Sequence, residues 1–357
     1  MSLEDLRKKI DDTDAEITRL IAERIRITQE VGAWKKEEGV LIEDVDRERI
    51  VLENIRSYAR EEKVSPEDME NIYRQVITAS KRIQGVRVAF QGEAGAYSEE
   101  AAYRFFGSLA QTRPCKSLED VFKAVQQEEV PFGIVPVENS LEGSINQTYD
   151  LLLNSNLKVS GEIEMRIVHC LIVNPGVSLH SIKRVYSHPQ ALAQCQAFLK
   201  HMGYELIPTY DTAGSVKMIK EAGIADSGAV ASARAAEVYG MNIVAREIED
   251  NQNNFTRFFI LSERDCPRSG RDKTSIVFSV SHKPGALYGA IKEFAARDVS
   301  LTRIESRPTR QKPWEYNFYL DVDGHREDTV VEQALASLEK TSLFVKVLGS
   351  FPRAKSG

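Results

Sequence analysis

Apolar residues recur at helical spacing from Leu3 to Gln84, and the pattern stops at Gly85. That stretch has no strand-like alternation and one proline, Pro66, so its spacing predicts three helices. The first is long, carries Leu6, Ile10, Ile17, Leu20, Ile21, Val31 and Trp34, and is expected to end near Gly39. The second is expected from near Asp44 to about Glu61. The third opens at Ser65, Pro66, Glu67, Asp68, an N-cap followed by a first-turn proline and early acids, and carries Met69, Ile72, Tyr73, Val76 and Ile77. A long helix with two shorter partners encloses little core of its own. Its stripe is therefore expected to be buried against a second copy of the chain.

After Gly85 the period changes. Val86 to Phe90 reads as a short strand, followed by the loop Gly92, Glu93, Ala94, Gly95 and a helix. Further strands are expected at Phe132–Val137, His169–Val173, Ile182–Ser187, Ala229–Ala231 and Phe258–Leu261, with helices between them. That alternation predicts an α/β region with a mostly parallel sheet. Glu263 to Asp272 is charged, contains Pro267 and Gly270, and reads as a linker. Beyond it come strand Thr274–Ser281, helix Gly285–Arg297, strands Leu301–Ser306 and Tyr316–Val322, helix Thr329–Leu338 and strand Val345–Gly349, the βαββαβ order of a ferredoxin-like α+β domain. At 357 residues the chain is longer than one hydrophobic core usually organises, in keeping with several domains.

Charge narrows the choice of partner. The net charge is -6, and no basic run is present to neutralise nucleic-acid phosphates or an anionic membrane, so small molecules are the expected partners. Met1 to Asp5 lacks the basic start and apolar run of a signal peptide, and no stretch approaches a membrane span. Cys115, Cys170, Cys195 and Cys266 are scattered without metal-ligand or redox spacing. They read as free thiols in a reducing, cytoplasmic compartment, and neither a metal nor another cofactor is expected.

The helical segment carries charge on its apolar stripe. Arg24 and Lys35 share the line of Ile17, Leu20, Thr28 and Val31, because eleven residues return to within roughly 20° around the axis. Asp44, Arg47 and Glu48 stand at the mouth of the stripe continued by Val51 and Ile55, and Ser80 and Gln84 extend the line of Ile72, Tyr73, Val76 and Ile77. A buried ion-pair network would account for one such residue. Several converging from three helices form a cation-rich pocket suited to a small dianion.

On these residues the segment 1–85 resembles the all-helical chorismate mutases. Arg7, Arg24, Lys35, Asp44, Arg47, Glu48, Ser80 and Gln84 fill the positions of that family's binding set. The resemblance implies an intertwined dimer in which Arg7 reaches the partner chain's site. It also implies that Lys35 and Gln84 donate to the breaking ether oxygen while Glu48 and Asp44 orient the ring hydroxyl and the cationic side chains. The rearrangement is pericyclic, so such a site needs only to fold the substrate and stabilise developing charge.

In the α/β region, polar residues with glycine or proline gather at expected strand ends in four stretches: Gly92 to Ser98, Pro136 to Gly143, Ser187 to Gln190, and Asn254 to Phe258. Each has a bland alternative as a strand end or turn. In this order they resemble prephenate dehydratase over residues 86–262, with Thr256, Arg257 and Phe258 as the most specific mark. Glu93, Ala96 and Tyr97 depart from that family's usual loop, which more often has proline, threonine and phenylalanine there. The resemblance implies two lobes like those of periplasmic binding proteins, with the site in the cleft. Thr256 is the candidate hydroxyl at the leaving group, with Glu138, Asn139, Ser140 and Arg257 positioning the substrate and a proton relay through Glu138 or a water.

Residues 273–351 resemble an ACT regulatory domain, on Gly285, Ala286, Leu287 and on Glu305, Ser306, Arg307, Pro308, with Tyr288 where valine is usual. Helix amino termini offer free N–H groups to a carboxylate, so these residues are the candidate site for phenylalanine as effector. A purely structural dimerisation module is the alternative. Together the segments imply an enzyme that makes prephenate from chorismate and converts it to phenylpyruvate under phenylalanine feedback, as a homodimer or homotetramer. Two alternatives stand beside it: a second step on arogenate, and a catalytically silent amino-acid-binding protein.

Overall fold

The computed structural model describes residues 2–37, 45–84, 86–108, 110–309 and 315–354, with side chains 29, 33–37, 45–48, 78, 79 and 81–84 outside that description. The chain divides into two compact units, Met1–Val86 with Phe106–Gln111, and Arg87–Phe105 with Thr112–Gly357.

The first unit holds three helices, α1 (Leu3–Glu37), α2 (Val45–Glu61) and α3 (Pro66–Gln84). Ser2 caps α1: its Oγ accepts the Asp5 N–H at 3.1 Å and its own N–H is taken by the Asp5 carboxylate at 2.7 Å. Ser65 accepts the Asp68 N–H at 3.2 Å just ahead of Pro66, where a missing N–H is harmless. Ile55 and Ala59 of α2 are buried, and the buried Glu70 of α3 is ion-paired to Arg56 and Arg74. The stripe of α1 is different. Leu6, Ile10, Ile17, Leu20, Ile27 and Val31 are between 45% and 59% exposed, an apolar face that one copy of the unit leaves in water. The expected end of the first helix near Gly39 and start of the second near Asp44 fall at 38–44, outside the described residues.

The second unit runs β1 (Arg87–Gln91), α4 (Tyr97–Phe106), β2 (Gln111–Cys115), α5 (Leu118–Gln126), β3 (Phe132–Asn139), β4 (Gly143–Ser144), α6 (Asn146–Asn154) and β5 (Lys158–Arg166). It continues with β6 (Cys170–Val173), β7 (Arg184–Ser187), α7 (Pro189–Gln194), α8 (Gln196–His201), β8 (Glu205–Pro208), α9 (Thr212–Glu221), β9 (Ser227–Ala231), α10 (Ala233–Tyr239), β10 (Asn242–Ala245) and β11 (Phe255–Ser262). The last part is β12 (Asp272–Ser279), α11 (Ala286–Ala295), β13 (Leu301–Pro308), β14 (Tyr316–Asp323), α12 (Thr329–Thr341) and β15 (Phe344–Pro352), the expected βαββαβ order.

Three sheets result, ordered β2-β1-β3-β11-β5 with β4 on β3, then β10-β6-β9-β7-β8, then β13-β14-β12-β15. The expectation of a mostly parallel sheet is corrected. β1–β3, β7–β8 and β7–β9 are parallel, but β11 runs antiparallel to β3 and β5, and β6 runs antiparallel to β9 and β10. The reason is that the chain leaves the first lobe along β5 and returns along β11. A returning strand enters the sheet from the end where its neighbours leave it. Local helix–strand alternation does not encode that reversal.

This return also explains a proline inside the sheet. The register slips between Arg257 and Phe258, which pair with Glu138 and Pro136 and leave Val137 as the extra residue. A bulge tolerates Pro136 in an interior strand despite its missing N–H. The carboxyl-terminal sheet is covered on one face by α11 and α12, over a core that includes Ile276, Phe278, Phe294, Leu320 and Leu338. Its other face shares a core with the first lobe, in which Val277, Tyr319, Leu348 and Phe351 pack with Tyr149, Phe259 and Leu261. Gly349 makes the fit possible, since a Cβ there would lie 2.1 Å from the Val159 carbonyl oxygen of β5.

Candidate active sites

In the helical unit the structure brings together two of the residues singled out from the sequence. Arg24 of α1 donates from Nη1 to Ser80 Oγ of α3 at 2.7 Å, and Ser80, 3% exposed, passes its own proton to the Val76 carbonyl at 2.8 Å. A guanidinium therefore faces inward between two helices, anchored by one nitrogen, and among the described residues its other donors have no partner, as a site for an anion requires. Arg7 lies on the exposed face of α1, seventeen residues from Arg24 and so roughly 25 Å away along the axis. One copy of the chain does not bring these arginines together. Lys35, Arg47, Glu48 and Gln84 belong to helices whose side chains there lie outside the description, as does Asp44 entirely.

In the second unit a polar cluster forms where β3 ends and β11 begins, paired through Thr256↔Asn139. The Asn139 carbonyl accepts the N–H groups of Leu141 and Glu142 at 3.0 and 3.2 Å, which fixes which way the amide points. Its Nδ2 then donates to Asn254 Oδ1 at 2.7 Å and to Thr256 Oγ1 at 3.0 Å. Thr256 accepts in this bond, so its own hydroxyl hydrogen remains available. Asn254 and Thr256 are 0% and 8% exposed.

The cluster continues into the second lobe. Asn254 Nδ2 donates to Gln194 Oε1 at 2.9 Å, the same oxygen faces His169 Nε2 at 2.9 Å, and His169 Nδ1 meets the Tyr97 hydroxyl at 2.8 Å. Because Gln194 Oε1 is an acceptor, His169 carries a proton on Nε2, while the Tyr97 hydroxyl that lies against Nδ1 donates to the Val168 carbonyl at 2.9 Å. Burial lowers the His169 pKa below its ordinary 6.5, against the opposing pull of the Gln194 hydrogen bond and the Glu249 carboxylate. The unfolded chain therefore takes up this proton first, and stability from His169 is complete above pH 6.5 and lost as pH falls below it. Dehydratase turnover is expected to stay level through pH 6.5, with its acid limb at lower pH. A limb centred at or above 6.5 in a kcat–pH profile would mean that the ring ionises like an exposed histidine.

Of the five substrate-positioning candidates, the structure brings Asn139 and Thr256 together and places the others elsewhere. Ser140 clips the two strands, donating to the Asn253 carbonyl at 2.8 Å and accepting the Phe255 N–H at 2.9 Å. Glu138 and Arg257 project from the opposite face, since successive strand residues alternate sides. Glu138 pairs with Arg303 at 3.0 Å; Arg257 pairs with Glu162 at 2.5 Å and Asp321 at 2.6 Å. A relay through Glu138 to Thr256 does not fit that placement. Ser187 donates to the Val230 carbonyl and His188 caps α7, the bland roles considered for that stretch.

Sequence reasoning missed Gln194 and His169. Gln194 stands one helical turn beyond Gln190, the last residue of its motif, and helical spacing was the only signal for it. The glycine loop matters for packing: Gly95, at φ +88, lies against α10, where a Cβ would come 2.6 Å from Ala235 Cα. It thereby sets Tyr97, whose hydroxyl a phenylalanine at that position lacks.

Among the effector candidates, Gly285 is the left-handed N-cap of α11, ahead of Ala286 and Leu287. Glu305 is held by Arg303 and Ser144, while Arg307 reaches the Asn146 carbonyl at 2.7 Å and Asp150 at 2.9 Å. Ser306, on the other side of β13, is exposed. Arg307 also lines a cavity of about 240 Å³ together with Asn154, Pro308, Asn317 and Tyr319.

Three family models match the chain in order: chorismate mutase type II at residues 6–85, prephenate dehydratase at 88–266 and the ACT domain at 274–340. The chain is 40% identical to a bifunctional chorismate mutase/prephenate dehydratase of Aquifex aeolicus, over 99% of this chain and 98% of that one. It is 44% identical to arogenate dehydratase/prephenate dehydratase 2 of Arabidopsis thaliana, over 75% of this chain and 73% of that one. Among solved structures, prephenate dehydratase of Arthrobacter aurescens in complex with L-Phe is similar at a TM-score of 0.69 and 34% identity, covering 75% of this chain and 90% of that one.

Proposed function

The chain belongs to the bifunctional chorismate mutase/prephenate dehydratase family, and from that premise we propose which of its residues carry each step and how the steps are controlled. It is an isomerase and a carbon–oxygen lyase of phenylalanine biosynthesis, with an ACT regulatory domain.

In the mutase step Arg24 grips a chorismate carboxylate and Ser80 orients its guanidinium; the 2.7 Å bond between them supports that assignment. Arg7 of a second copy grips the other carboxylate, Lys35 and Gln84 donate to the ether oxygen as charge develops there, and Asp44, Arg47 and Glu48 complete the pocket. The exposed stripe of α1 supports burial against that second copy. Dimer and tetramer both satisfy it.

In the dehydratase step the substrate's ring hydroxyl takes a proton and leaves as water, while the bond to the ring carboxylate breaks, carbon dioxide departs and its electron pair completes the aromatic ring. The single observation that supports the assignment is the Asn139-to-Thr256 hydrogen bond, in which Thr256 accepts and so keeps its own hydrogen to donate. Asn254, Gln194, His169 and Tyr97 hold that geometry.

Phenylalanine acts as inhibitor at the ACT domain, through the Gly285 turn and Ser306; the L-Phe complex of the Arthrobacter aurescens relative supports this. A cytoplasmic location accords with four free cysteines, three of them buried. Purified protein fed chorismate should form prephenate and then phenylpyruvate, with only the second step suppressed by phenylalanine. Absence of both products would sink the catalytic assignment, and an uninhibited second step would sink the regulatory one. Arogenate offered in competition tests the alternative substrate suggested by the Arabidopsis relative.

A further inference from the structure

Behind the Asn139–Thr256 pair lies a second cross-strand pair, Glu138↔Arg257, on the opposite face of the same two strands. It faces a third pair, Arg303↔Asp321, on neighbouring strands of the ACT sheet. Two ion pairs join the sheets: Arg303 Nε to Glu138 at 3.0 Å and Arg257 Nη1 to Asp321 at 2.6 Å. Arg257, Asp321 and Arg303 are buried or nearly so and Glu138 is 36% exposed; the quartet exchanges one cation and one anion each way, an arrangement that is lost wholly if either sheet shifts register. Burial works against the Asp321 charge, yet Arg257, the Ser275 hydroxyl and Arg303 hold its carboxyl below the usual range.

Arg303 is the member with the widest reach. Its side chain is 11% exposed; it stacks over the Tyr149 ring at 4.7 Å, donates to Ser144 of β4 at 2.6 Å and pairs with Glu305. Its Nη1 is buried and has no hydrogen-bond partner among the described residues. The fork is therefore unsaturated and able to re-pair when its strand moves. β13 alternates faces: Arg303, Glu305 and Arg307 meet the dehydratase, while Ile304 and Ser306 are exposed on the other side. β3 does the same with Glu138 and Asn139.

We infer that Arg303, supplied by the ACT domain, is a positioning residue for the dehydratase step: through Glu138 it sets the end of β3, and hence Asn139 against Thr256. An effector that displaces β13 from its exposed face moves Arg303, and Arg303 moves the catalytic strand. The inhibitory half of this inference rests on the phenylalanine reading above; the positioning half does not.

The test compares Arg303→Met and Arg303→Lys, with Glu138→Gln and the Glu138→Gln/Arg303→Met double variant, in the full-length enzyme. Arg303→Met is expected to lower dehydratase kcat about tenfold with KM within about threefold, and Arg303→Lys to recover most of that loss. The double variant should be no slower than the slower single, because both act along one connection. Phenylalanine binding followed by calorimetry should stay within about threefold in Arg303→Met, while the concentration needed for half-inhibition rises at least about tenfold. Wild-type kcat in Arg303→Met, a loss that Arg303→Lys does not relieve, or additive losses in the double variant would overturn the inference. So would phenylalanine binding that weakens in parallel with inhibition, since Arg303 would then belong to the effector site itself. If Arg303→Met does not fold, Glu138→Gln carries the test, with a lowered kcat at unchanged KM expected and wild-type kcat overturning the inference. Wild-type enzyme that phenylalanine does not inhibit would refute the regulatory reading and leave the kcat comparison intact.

Discussion

Thr256→Val is expected to lower dehydratase turnover by about 10²–10³-fold while leaving mutase turnover in the same preparation unchanged. Valine keeps the shape of the side chain and the strand preference of the position, so β11 is retained. What disappears is the hydroxyl that accepts the Asn139 amide at 3.0 Å and that the proposed mechanism uses as donor to the departing hydroxyl. Loss of the acceptor also leaves a buried amide hydrogen with one partner fewer, so Asn139 is less firmly oriented. Thr256→Ser retains the oxygen and should keep turnover within about tenfold of wild type. Stopped assays that measure prephenate and phenylpyruvate separately distinguish the steps. Phenylpyruvate formed by the valine variant at the wild-type rate would remove Thr256 from the chemistry.

Arg24→Ala should lower mutase kcat/KM by about 10²–10³-fold, the scale expected when one partner of a buried charged contact is removed. Arg24→Lys should restore little of it, because a point charge cannot both bond Ser80 and hold a carboxylate with two prongs. The dehydratase step, supplied with prephenate directly, should be unaffected by either. Arg7→Ala should produce a comparable mutase defect for a different reason, since Arg7 stands roughly 25 Å along α1 from Arg24 and is proposed to serve the other copy's site. Co-expression of the two variants provides the test. Each mixed dimer then holds one site with both arginines and one with neither, so random pairing should recover about a quarter of wild-type turnover. No recovery would place both arginines in a site built by one chain.

Periodicity and caps made the three helices, the α/β region and the βαββαβ order legible, because those signals lie within a few residues of one another. Arg24 and Ser80 were legible for the same reason: each sits on the apolar line of its own helix, where a polar residue is out of place. The mixed strand directions were not legible. They follow from the return of the chain into the first lobe after more than eighty residues, which no local pattern records. The roles of Glu138, Asn139, Thr256 and Arg257 divide along the same line. As neighbours in sequence, both pairs looked like parts of a single motif. Alternation across the strand sends Asn139 and Thr256 to the polar cluster with Asn254 and Glu138 and Arg257 to the ACT sheet, and which side is which depends on what packs there. Gln194 and His169 join the cluster only because the second lobe brings them to Asn254. Sequence alone determined which residue types were present and at what local spacing, and thereby the family and its two reactions. Tertiary structure decided which of those residues meet, because burial and hydrogen bonding act between side chains far apart along the chain.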